Sequence, residues 1–102
     1  MNDTLDLVED LRKRLTHDAP LDEAMSWWDV VQRIESSLEF DRGRTKADGE
    51  AVERLKSAIS EMIAAFRQGL HPEPGPARRA LMSIQQSVER RTTGVDGYPL
   101  RK

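Results

Sequence analysis

Histidines 17 and 71 are the only imidazoles in the chain, so acid–base or metal chemistry near neutral pH would have to begin with them. Neither belongs to a ligand or triad motif. Each follows an apolar-periodic segment, where an imidazole interacts favourably with a helix C-terminus, so both are read as structural or solvent-exposed. Two carboxylate groups, Asp6 with Glu9 and Asp10, and Asp18 with Asp22 and Glu23, carry hard oxygen donors. Their spacing matches neither the twelve-residue calcium loop nor the Glu-x-x-His pair of bundle metal sites. Both lie where a helix begins, and the helix dipole already favours acids there. The glycines at 43, 49, 69, 75, 94 and 97 are scattered, and none precedes the Lys-Ser/Thr pair of a phosphate loop. No Gly-x-Ser-x-Gly elbow surrounds any serine, and there is no cysteine to act as a nucleophile or a thiolate ligand. The expectation is a protein with no catalytic residues, metal or cofactor.

Binding chemistry is better represented. Trp27 and Trp28 are adjacent, and neighbouring helix positions point about 100° apart, so a thin bundle can bury one indole and leave the other at its rim. The favoured reading places both in the core, since aromatics are only 5% of the residues, with their N–H groups at its margin. A rim indole would instead anchor a partner. Charge is divided along the chain: residues 1–40 carry ten acids and four bases, net −6, and residues 41–102 carry eight acids and twelve bases, net +4. Acids Asp6, Glu9, Asp10, Asp22, Glu23 and Asp29 form a candidate acidic partner face together with the tryptophans. Arg78, Arg79, Arg90 and Arg91 form a basic alternative suited to phosphates, with Arg101 and Lys102 nearby. Against it stand an isoelectric point near 5.7, the lack of interleaved aromatics and the absence of a helix-turn-helix signature.

These residues must be positioned by helices. The 102 residues suffice for one domain, and 37% hydrophobic against 33% charged residues implies a thin core. A first helix starts at Asp3 or Thr4 and carries Leu5, Val8, Leu11 and Leu15 on one stripe. A second, capped by Asp18 with Pro20 in its first turn, runs to about Phe40 and gathers Leu21, Ala24, Trp27, Trp28, Val31, Ile34 and Leu38. Thr45-Lys46-Ala47-Asp48 has the form of a capping box opening a third helix. Val52, Leu55, Ile59, Met62 and Phe66 line that helix, Ile63 and Leu70 widen its stripe, and Gly69 and Pro72 end it. After the stiff 71–76 connection, Pro76 opens a fourth helix to about Arg91, whose narrow stripe of Ala77, Ala80, Leu81, Ile84 and Val88 predicts weak docking.

The expected fold is all-α: a three- or four-helix bundle over residues 1–93, built on a long antiparallel hairpin of the second and third helices, with a tail over 94–102 in which Tyr98 and Leu100 could pack. No stretch reaches the roughly 18 apolar residues of a membrane span, and Met1-Asn2-Asp3-Thr4 lacks the start of a secretory signal, so a cytoplasmic protein with no membrane partner is expected. The leading functional expectation is a protein-interaction module, an adaptor or inhibitor. Its partner would be a larger protein, including a nucleic-acid enzyme of the kind that phage and mobile-element proteins block. A homodimer that buries Met25, Val30 or a tryptophan is a further form of the same reading. The alternative is a nucleic-acid accessory protein.

Overall fold

The computed structural model describes residues 3–41 and 43–94, with side chains through residue 90. Four helices follow in order, α1 (Asp3–Arg14), α2 (Leu21–Glu39), α3 (Lys46–Arg67) and α4 (Gly75–Gly94), and no strand occurs among the described residues. The molecule is an all-α bundle in which α1 packs on α2, α2 on α3, α3 on α4, and α4 back on α1. This closed cycle gives each helix two neighbours, so a narrow apolar stripe can be covered from both sides. On α4 the stripe Ala77, Ala80, Leu81, Ile84 and Val88 is entirely buried, and the helix is seated against both α1 and α3. Of the tail expected over 94–102, only Gly94 is described, as the last residue of α4; Tyr98 and Leu100 lie outside the described residues.

The ends of the helices follow local chemistry. Thr45 caps α3 by accepting from the Asp48 N–H through its hydroxyl, while the Asp48 carboxylate accepts from the Thr45 N–H, closing the capping box. At the other end Gly69 adopts φ +77°, Leu70 N–H donates to the Ala65 carbonyl and Gly69 N–H to the Phe66 carbonyl. This is the Schellman closure, and its left-handed residue favours glycine. The start of α2 differs from the expected Asp18 cap. Pro20 takes the N-cap position without a side-chain hydrogen bond, and Leu21 is the first helical residue. Asp18 instead donates its backbone N–H to the Thr16 hydroxyl, in a turn that precedes the helix.

The core contains the predicted stripes except Leu21, which is half-buried at the first position of α2 and outside the core cluster, and four further corrections apply. Thr4 is buried on α1 where Leu5 was expected, because its hydroxyl is hydrogen-bonded to that of Ser37 on α2 while Leu5 is only half-buried. Val30 is buried and so unavailable as surplus surface. Leu70 is exposed beyond the Schellman turn instead of widening the α3 stripe. The tryptophans separate: Trp27 is fully buried, with its ring edge-on to Phe66 at 6.0 Å, whereas Trp28 is half-buried at the edge of the core.

Two cross-helix contacts fix the register of α2 and α3. Trp27 meets Phe66, and eight residues further along α2 Glu35 meets Lys56 at 3.1 Å, ten residues earlier on α3. Progress along one helix is therefore matched by regress along the other.

Candidate functional site

The two surfaces that flank α2 have opposite character. On the α1 side, Arg14 is the centre of a polar cluster. Its Nε donates to Glu23 Oε2 at 2.9 Å, its Nη1 to Asp10 Oδ2 at 3.2 Å and its Nη2 to the Ser26 hydroxyl. Glu23 Oε2 also accepts from Trp27 Nε1 at 2.9 Å, so the one polar atom of the buried indole is satisfied at the core margin. The Arg14 and Trp27 hydrogen bonds hold the Glu23 carboxyl below its ordinary value of 4.5, and the Glu23 contact foremost raises Arg14. These bonds arise because α1 ends in bases and α2 begins with acids, and the short connection brings those two ends together.

On the α3 side lies an open groove of about 860 Å³. Met25 and Trp28 from α2 and Ile63 and Ala64 from α3 supply its apolar lining, and Asp22, Ser26, Asp29, Ser60, Arg67 and Gln68 its polar lining, Ser26 being shared with the α1 seam. Met25 is 47% exposed. Asp22, Asp29 and Arg67 are exposed, and none of them makes an ion pair among the described residues. The groove thus combines accessible apolar side chains with charges of both signs that make no ion pair among the described residues.

The expected acidic face is thus divided. Asp10 and Glu23 are both paired with Arg14, and Glu9 is shared by Arg12 at 2.8 Å and Lys13 at 3.6 Å. Asp6 is exposed on α1, while Asp22 and Asp29 belong to the groove. Trp27 has no exposed surface and, as a correction, is available to no partner in this fold; Trp28 is the accessible indole. Arg67 and Ala64 were not singled out from sequence. Their signal was present: with Ile63, and four residues after it Arg67, they form a second row of α3 displaced from the main stripe.

The arginine group is also partly committed. Arg78 donates from Nη2 to the Leu15 carbonyl at 3.0 Å, satisfying a backbone acceptor just past the end of α1. Arg79 faces a shallow depression that it shares with Arg54, Glu53 and Glu61, so the local charge is mixed. Arg90 is exposed, and the side chain of Arg91 lies outside the described residues.

His17 and His71, 54 positions apart in sequence, meet at one end of the bundle with ring centroids 6.4 Å apart. The Nδ1–H of His71 donates to the His17 carbonyl at 3.1 Å, so the pair ties the α1–α2 connection to the α3–α4 connection. Among the described residues no three His, Asp or Glu side chains are grouped so as to hold a metal ion, and no helix is long and apolar enough to cross a membrane. Compared with models of protein families, with curated proteins and with solved structures, the chain finds no match in any of the three.

Proposed function

We propose that this chain is a non-enzymatic protein-interaction module, acting as an adaptor or inhibitor, and that the α2–α3 groove is its contact surface. The observation that carries the reading is the coincidence of an accessible indole, Trp28, with three uncommitted charges, Asp22, Asp29 and Arg67, around one apolar strip. Aromatic anchors inside a polar rim supply most of the affinity in protein contacts. A charge that is already paired within the chain offers less to a partner, and this favours the groove over the α1–α2 seam. A cysteine-free chain suits a reducing compartment, so a cytoplasmic setting belongs to the same reading.

The test is affinity capture from the native extract with the intact chain, Trp28→Ala and Asp29→Arg in parallel, with and without nuclease. The expected result is a stoichiometric protein that survives nuclease and is lost with either substitution, while the helical circular dichroism is unchanged. Recovery only through nucleic acid, abolished by alanine at Arg78, Arg79, Arg90 and Arg91, would replace this reading with that of a nucleic-acid accessory protein.

A further inference from the structure

The groove carries a pattern of charge that specifies an occupant. The acids stand on one wall, Asp22 and Asp29 on α2, and the base stands on the other, Arg67 on α3. From the register set by Trp27 against Phe66 and Glu35 against Lys56, Arg67 lies roughly level with Met25 along the groove. Asp22 is three residues to one side of that level and Asp29 four to the other, so along the axis the two positions are about 4.5 Å and about 6 Å from that of Arg67. Arg67 nonetheless makes no ion pair with either across the groove.

A closed, twofold-symmetric contact requires a surface complementary to itself. Two twofold axes can bring this face onto its own copy. An axis across the helices stacks α2 on α2 and sets Asp22 and Asp29 against the same acids of the other copy, which like-charge repulsion disfavours. An axis parallel to the helices stacks α2 of each copy on α3 of the other. Arg67 then falls between Asp22 and Asp29 of the second copy, and Met25 and Trp28 face Ile63 and Ala64. The α2–α3 pairs formed between copies would run in opposite directions, as the pair within each chain does.

We propose that the groove is closed by the same groove of a second copy of this chain, through a twofold axis parallel to α2 and α3, with Arg67 of each copy between Asp22 and Asp29 of the other. The inference rests on the groove's being a protein contact surface, and the second copy competes there with any larger protein that the groove takes up. A face two helices wide and about 30 Å long offers roughly 600 Å² per copy, somewhat less than the roughly 800 Å² of a standard interface. The dimer is therefore of modest affinity and dissociates on dilution.

Light scattering and sedimentation of the full chain over a dilution series test it. The expected mass rises with concentration from that of one 11.6 kDa chain to twice that value. Arg67→Glu alone, and Asp22→Arg with Asp29→Arg alone, each set like charges in apposition twice per dimer and should raise the dissociation constant at least tenfold. Mixing the two variant chains restores opposite charges at both positions and should recover a heterodimer, a result that misfolded variants could not give. A chain that stays monomeric at several hundred micromolar overturns the proposal, as does a dimer indifferent to both variants or a mixture that fails to associate. In each of those cases the interaction-module reading survives on its own test, the loss of a captured protein with Trp28→Ala.

Discussion

Adjacent residues of one helix, Trp27 and Trp28, stand in two different surroundings, Trp27 sealed in the core beside the α1 seam and Trp28 at the edge of the groove. On the seam with α1, the Trp27 indole N–H, the Glu23 carboxylate, the Arg14 guanidinium and the Ser26 hydroxyl are joined by hydrogen bonds. In the groove with α3, Trp28 and Met25 remain accessible and Asp22, Asp29 and Arg67 remain unpaired with other described charges. The difference is one of completion. The seam is finished by the chain's own side chains, so its residues serve stability. The groove is left open, and its charges make no ion pair among the described residues. The division falls inside a single α-helix because a rotation of about 100° separates neighbouring side chains.

The tryptophans offer the sharpest test of this contrast. Trp27→Ala should cost about 3–5 kcal/mol, a large part of the stability of a small domain, and lower Tm by about 12 °C or more in a thermal melt followed by circular dichroism. Trp28→Ala should cost no more than about 1.5 kcal/mol and act chiefly on association. Equal losses from the two would erase the distinction between seam and groove.

Removing the organiser of the seam comes next. Arg14→Ala withdraws the donor shared by Glu23, Asp10 and Ser26, and about 1–2 kcal/mol should be lost in urea denaturation with an unchanged m-value. A smaller effect follows from titration. The Glu23 carboxyl is held below 4.5 in the folded chain, so its contribution is present above the unfolded value and is lost as pH falls through the folded one. The carboxylate is partly exposed, so that contribution is about 0.5–1 kcal/mol after solvent screening. Glu23→Gln should therefore be less stable than the parent by that amount at pH 7, and the gap should close as the pH falls below about 4.5. A gap that persists into acid would mean that the carboxylate's hydrogen-bond geometry matters more than its charge.

The smallest effect is expected in the groove. Asp29→Asn should change the unfolding free energy by less than about 0.5 kcal/mol, because the side chain has no ion pair to lose among the described residues. A stability loss comparable with that of Arg14→Ala would show the groove to be structural after all.

Periodicity made the core legible. Val8, Leu11, Ala24, Val31, Ile34, Leu55, Ile59, Leu81 and Ile84 were all placed on inward stripes and are all buried. The capping box at Thr45 and the stop at Gly69 were equally readable, since both depend on interactions within a few residues. The seam was half legible: acids at the start of α2 and bases at the end of α1 were visible, but a helix dipole accounts for each separately. That Arg14 gathers Asp10, Glu23 and Ser26 requires the two helix ends to be adjacent. Thr4 was overlooked because a hydroxyl on an apolar stripe is acceptable only opposite a partner, here Ser37, 33 residues away.

What the sequence determined by itself is the set of elements and the face each one buries, because helical period, caps and terminators are local and repeat within a turn or two. Which of two adjacent indoles lies inside, whether an acid is spent on a neighbouring base or left at a groove, and that His17 and His71 touch were decided only by tertiary packing. Those outcomes depend on the order of helices around the bundle and on their relative height, and no interval along one chain encodes either quantity.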